Sequence, residues 1–256
     1  VKLYIGTSTW SQKDWVGNFY PPHAKPATFL MEYAKRLPTV EIDSTFYAIP
    51  RKELVQSWHD KTPDTFIFSA KFPQVITHDK KLLNAADETT LFLNTMSALK
   101  EKLGCLVLQF PYTFEATLET VEAMKAYLAT LPTAEFRVAL EVRHRSWLKE
   151  GFFDRLRKHN VALVLTDQPA MRGVFVETAN FAYIRWLGNR KLLSEPFTEL
   201  KLDKTVEMTQ WAERIQSFKA QTVFGYFNNH YAGHSPTSAE KFREIFDTFT
   251  SMQMSF

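Results

Sequence analysis

The chain has 256 residues, 45% hydrophobic and 23% charged, a composition that excludes disordered, fibrous and collagen-like classes. A formal net charge of +3 does not call for nucleic acid by bulk electrostatics, leaving it only through a local basic face, and no apolar run approaches the ~20 residues that span a bilayer. The single cysteine, Cys105, excludes intrachain disulfides and cysteine-based metal clusters.

Residues 1–6 read as a strand and lack the charged head, apolar middle and small-residue cleavage site of a secretory signal, so a cytoplasmic protein is expected. Pro21, Pro22 and Pro26 mark residues 11–26 as a long loop over one mouth of the fold. Eight strand-sized runs rich in apolar residues follow the chain, at residues 3–8, 40–45, 66–72, 105–110, 138–142, 162–166, 181–187 and 223–228. Between them, Phe92, Met96, Leu99 and Leu103 draw one helical stripe, and Val121, Met124, Leu128 and Leu131 draw another. Residues 168–180 carry Pro169 and Gly173 with weak helical period and predict a loop or short helix in the sixth unit. Met208, Trp211, Ile215 and Phe218 predict the next helix, and Phe242, Ile245, Phe246 and Phe249 the last, with Thr237-x-x-Glu240 as its capping box. Eight alternating units in about 250 residues predict a closed (β/α)₈ TIM barrel, a single domain over residues 1–256, ahead of a doubly wound open sheet.

In such a barrel the chemistry gathers at the carboxyl ends of the strands. Those positions hold Thr7, Ser8 and Trp10; Glu41, Asp43 and Thr45; Lys71; Gln109; Glu141 and Arg143, followed by His144, Ser146 and Trp147; Thr166 and Asp167; Arg185; and Asn228, Asn229 and His230. Glu41 and Glu141 lie in apolar runs, and burying a carboxylate unpaired is costly, so Lys71, Arg143 or Arg185 should pair with them. Two readings stand. The layer is either a structural plug of ion pairs, or a site with Glu141 as catalytic carboxylate and Glu41 as its acid–base partner. The second requires both groups to reach the mouth. Lys71, Arg143 and Arg185 would then hold an anionic, phosphate-bearing or nucleotide-like ligand, oriented by Gln109, Asn228 and Asn229. Alternatively the two asparagines satisfy backbone groups in a turn.

The rim aromatics Trp10, Trp15, Tyr20, Tyr47, Trp147 and Trp186 would stack on a base or sugar, or anchor loops. Asp167 and His230 complete the ligand-binding candidates. Four strand-top carboxylates (Glu41, Asp43, Glu141, Asp167) face three cations, so a divalent metal would compete with the cations; neither metal nor cofactor is expected. Gly233 interrupts His230-x-x-x-His234, which weakens it as a metal pair. The runner-up function is a non-catalytic module that binds a sugar, base or protein segment, and the third a metal-dependent phosphodiesterase.

Several motifs in order resemble the family called domain of unknown function 72, or YecE-like. They are Gly6-Thr7-Ser8-Thr9-Trp10 with Trp15-Val16-Gly17-Asn18-Phe19-Tyr20-Pro21, Val40-Glu41-Ile42-Asp43-Ser44-Thr45-Phe46-Tyr47 and Phe68-Ser69-Ala70-Lys71. Leu103-Gly104 leading to Gln109-Phe110-Pro111, Glu141-Val142-Arg143-His144-Arg145-Ser146-Trp147, and Tyr226-Phe227-Asn228-Asn229-His230 with Gly233 continue the match. The resemblance implies a TIM barrel and leaves the reaction unassigned. The chain departs from the family's usual pattern at Thr9 (glycine), Asp43 (asparagine), Leu187 (histidine) and near Ser238 (asparagine), so no mechanism using that histidine carries over.

Overall fold

Eight parallel strands close on themselves in chain order: β1 (Lys2–Thr7), β2 (Thr39–Ile42), β3 (Ile67–Lys71), β4 (Leu103–Gln109), β5 (Val138–Glu141), β6 (Ala162–Thr166), β7 (Phe181–Trp186) and β8 (Thr222–Phe227). Around them run α1 (Phe29–Ala34), α2 (Lys52–Asp60), α3 (Ala86–Met96), α4 (Leu118–Thr130), α5 (Glu150–Lys158), α6 (Thr205–Gln216) and α7 (Ser235–Gln253). The fold is a (β/α)₈ TIM barrel that lacks the helix after β6. This computed structural model describes residues 1–253, and residues 254–256 of the expected domain lie outside the described residues.

The strands are buried on both faces, which is why their sequences read as nearly continuous apolar runs. Their outer faces pack on the helices in the larger apolar cluster, while Cys105, Val107, Tyr183, Phe224 and Tyr226 fill the barrel itself. Burial pushes the Cys105 thiol pKa well up, in keeping with a core residue.

The segment after β6 is irregular, as expected, with only a short 3₁₀ turn at Pro169–Met171. A cleft of about 660 Å³ opens there, lined by Asp167, Phe175, Trp211 and Tyr231 among others. Residues 11–26 form a loop with its own packed centre: Trp15, Phe19 and Tyr20 are buried, and Asp14 and Asn18 bond to the backbone of Phe197 and Thr198.

Three local expectations are corrected. β2 stops at Ile42, because residues Ser44–Phe46 wind into a 3₁₀ turn; Asp43 and Thr45 therefore leave the strand face they were expected to share with Glu41. Leu103 opens β4 and does not continue the α3 stripe, since the chain breaks helical geometry at Lys100. The last helix begins at Ser235, one turn before the expected start, so Thr237 lies inside it. His234 serves as the cap: its Nδ1 accepts from the Thr237 backbone N–H at 3.3 Å.

Candidate functional site at the barrel mouth

The interior charges sit at the carboxyl ends of the strands, around Arg185. Alternation along β7 turns Trp186 outward onto Phe227 and Arg185 inward. The Arg185 guanidinium donates to Glu41 Oε1 at 2.8 Å, to Glu141 Oε2 at 2.5 Å and to Gln109 Oε1 at 3.0 Å. The other oxygens are also taken, Glu41 Oε2 by the Tyr183 hydroxyl at 2.7 Å and Glu141 Oε1 by Arg143 Nε at 2.6 Å. Glu41 is 0% exposed, Glu141 1% and Arg185 2%.

This arrangement overturns the expected use of Glu41 and Glu141 as general acid and base. A general acid must carry a proton near neutral pH and touch the substrate. Burial pushes the Glu141 carboxyl up, but the Arg143 and Arg185 charges and their hydrogen bonds outweigh it and hold it at about 2. Both carboxylates are sealed, so within this layer the plug of ion pairs is the reading the geometry supports. Arg185, expected to hold the ligand, is occupied by the same two carboxylates, and Gln109 spends its side-chain oxygen on Arg185.

Lys71 and Arg143 stand at the upper edge of the layer. Lys71 ends β3, is 7% exposed, and pairs with Asp43. The Thr45 hydroxyl donates to the Lys71 carbonyl at 2.8 Å and fixes that strand end. Arg143 lies just beyond β5, with its guanidinium carbon 5.0 Å from the centre of the exposed Tyr112 ring. Burial and the neighbouring Arg185 lower the Lys71 pKa, against the pull of Asp43 and Glu41.

The remaining candidates are placed as follows. Asp167 accepts from the backbone N–H groups of Leu187 at 2.7 Å and Gly188 at 2.9 Å, tying two mouth loops together; burial pushes its carboxyl up. A Cβ on Gly188 would lie 2.0 Å from the His230 carbonyl oxygen, which explains a glycine there. Asn228 donates to Ser8 Oγ at 3.0 Å and accepts from the His230 N–H at 3.1 Å. Asn229 Oδ1 accepts from the backbone N–H and hydroxyl of Ser235, at 3.0 and 2.8 Å. Both amides thus serve turns and the start of α7. His230 Nδ1 donates to the Leu193 carbonyl at 2.9 Å.

Among the rim aromatics, Trp15, Tyr20, Trp147 and Trp186 are buried; Trp147 Nε1 donates to the Phe114 carbonyl at 2.8 Å, as a loop anchor does. Trp10 is partly exposed and packs edge-on against Trp58, and Tyr47 is exposed. Among the described residues, no three His, Cys, Asp or Glu side chains gather as a metal site requires.

Sequence reasoning missed His78 and Tyr112. His78 lies on a π-helical turn, Val75–Asp79, directly after β3, a backbone form common at functional sites. Its ring centre is 4.9 Å from that of Phe46, and burial and the charges of Arg143 and Lys71 hold it below the usual histidine range, with Asp79 opposing. Its place a few residues past a strand end was the one available signal, since a single π turn has no sequence period.

The closed parallel barrel, with its charged layer and cations at the carboxyl ends, defines a TIM-barrel protein with a candidate site at the mouth. The chain belongs to the family described as protein of unknown function DUF72, whose model matches residues 4–254. It is 37% identical over 149 residues to the UPF0759 protein YecE of Escherichia coli K12, a match covering 58% of this chain and only 51% of that relative. It is 25% identical over 275 residues to the UPF0759 protein YunF of Bacillus subtilis 168, covering 96% of this chain and 95% of YunF. A DUF72 family protein of Thermotoga maritima superposes with a TM-score of 0.82 at 28% identity, over 96% of this chain and 100% of that one. D-psicose 3-epimerase of Clostridium cellulolyticum H10, at 12% identity and a TM-score of 0.55 over 100% of this chain and 99% of that one, shares the fold alone. Among the described residues, no helix is long and apolar enough to cross a membrane.

Proposed function

We propose that the protein is a small-molecule enzyme whose barrel mouth takes an anionic, phosphate-bearing or nucleotide-like substrate and moves a proton on it. One observation supports this reading: the two cations at the edge of the charged layer keep unused donors. Arg143 commits only Nε, to Glu141, and its two terminal nitrogens make no hydrogen bond among the described residues. A free guanidinium fork beside an ammonium is suited to bidentate capture of phosphate or carboxylate. Glu41 and Glu141 together balance Arg185 and Arg143, and Asp43 balances Lys71, so what the edge offers an anion is open donors rather than surplus charge. His78, kept neutral by its surroundings, is the proton acceptor in this reading, in place of the sealed carboxylates.

The sealing of Glu41 and Glu141 equally favours a second reading, a module that binds an anion without turnover. Calorimetric titration with inorganic phosphate, glycerol 3-phosphate and adenosine monophosphate tests what both readings share. Losing charge-assisted hydrogen bonds, each worth about 1.5–3 kcal/mol, should weaken binding at least tenfold in Arg143→Gln. Equal binding by wild type and variant would remove the anion site. With a bound anion in hand, a product that His78→Asn fails to form separates the enzyme from the module.

A further inference from the structure

Lys71 is a lysine on the inner wall of the barrel. Ser69, two residues earlier on the same strand face, bonds the Tyr226 hydroxyl inside the barrel at 2.8 Å, so the alternation carries Lys71 inward as well. An ammonium has three donors, and among the described residues the side chain of Lys71 has one polar partner, Asp43. Burying an ammonium so sparsely paired is costly, and the charge of Arg185 in the same layer adds to that cost. Releasing a proton relieves both, and a neutral amine carries the electron pair that a carbonyl carbon accepts.

A proton acceptor stands close by. Asp43 is partly exposed and touches the amine.

Building on the anion-binding reading above, we propose that Lys71 forms a Schiff base with an aldehyde or ketone whose phosphate or carboxylate rests on Arg143. The ammonium first gives one proton to Asp43, the carboxylate it touches. The Nζ pair then forms a bond to the carbonyl carbon, the C=O π pair moves onto oxygen, and a proton shifts from nitrogen to that oxygen. The resulting carbinolamine loses its hydroxyl as water, using the proton held on Asp43, while the nitrogen pair closes the C=N bond. The products are one protonated imine and one water; nothing is oxidised or reduced.

Reductive trapping tests the assignment. The full chain is incubated separately with glyceraldehyde 3-phosphate, pyruvate and acetaldehyde, reduced with cyanoborohydride, digested and mapped by mass spectrometry. Lys71 should carry an adduct at least tenfold above any other lysine, faster with the anionic carbonyls than with acetaldehyde, and slowed by inorganic phosphate. Lys71→Arg, which keeps the charge but has no amine to form an imine, should lose the adduct. Adducts spread over surface lysines, with Lys71 no higher, overturn the proposal on the wild type alone, whether or not the variant folds. Phosphate binding without trapping at Lys71 leaves the anion site standing and ends the nucleophile. Trapping at Lys71 by acetaldehyde without phosphate binding keeps the nucleophile and ends the anion site.

Discussion

A carboxylate with both oxygens bonded inside a barrel acts on stability before it acts on any substrate, and Glu141 is of that kind. Glu141→Gln keeps the shape but replaces one acceptor oxygen with a donor facing Arg143 or Arg185, and leaves their charges matched by Glu41 alone. Breaking a buried ion pair on one side costs about 3–5 kcal/mol. Urea unfolding at pH 7 should show a loss of that size, and an unchanged midpoint would mean the layer is not bonded as described. The members of this layer were legible because period-two alternation and the cost of lone buried charge point to Glu41, Glu141, Lys71 and Arg185 together. Their depth was not legible. Whether a carboxylate at a strand end opens to the mouth depends on which side chains cross the barrel, and Arg185 reaches both acids from a strand adjacent to neither β2 nor β5.

At the scale of elements, the barrel closes unevenly. β1 and β8 pair along six residues, while β1 and β2 share the single register Thr7↔Val40. Tyr33, from α1, bridges that seam: its hydroxyl accepts from the Thr7 N–H at 2.9 Å and donates to the Thr39 carbonyl at 2.8 Å. Gly6 makes the close approach possible, because a Cβ there would sit 1.9 Å from the Thr39 carbonyl oxygen. Tyr33→Phe would strand a buried donor and a buried acceptor, at about 1–3 kcal/mol each. Thermal unfolding should therefore show a clear drop for Tyr33→Phe, and a variant as stable as wild type would show that the hydroxyl does not hold the seam. The existence of all eight strands was readable from burial on both faces, but their ends were not. Asp43 and Thr45 continue the alternation of β2, yet the chain turns there because Thr45 finds better partners in the carbonyls of Ile42 and Lys71. Likewise a Thr-x-x-Glu pattern marks a helix start only when no earlier residue can cap, and His234 does so first.

For the molecule as a whole, these contacts predict a two-stage response to acid. His234 joins distant parts of the chain: it caps α7, and its ring meets Trp15 of the long loop edge-on at 6.0 Å. Since Nδ1 accepts from Thr237, the proton of the neutral ring resides on Nε2, and a second proton would have to displace the cap. Burial and the charge of Arg36 accordingly lower its pKa from 6.5 to about 4. A base depressed in the folded state contributes stability that is fully present above pH 6.5 and disappears as pH falls to about 4, where the gap is worth about 3 kcal/mol. Glu141 follows in a lower window. Its carboxyl is held at about 2 against an ordinary 4.5, so its contribution is present above pH 4.5 and lost as pH falls toward 2, again about 3 kcal/mol. Urea unfolding measured at half-unit steps should thus show stability falling first between pH 6.5 and 4, then further below 4.5. His234→Asn keeps a capping oxygen and has no titrating ring, so it should flatten the first stage and leave the second untouched. A wild type with constant stability from pH 6.5 to 4.5, or a variant that falls as steeply as wild type there, would exclude His234 as the origin. Acid should therefore loosen the α7 and long-loop contacts first, while the charged layer at the barrel mouth still holds the strands together.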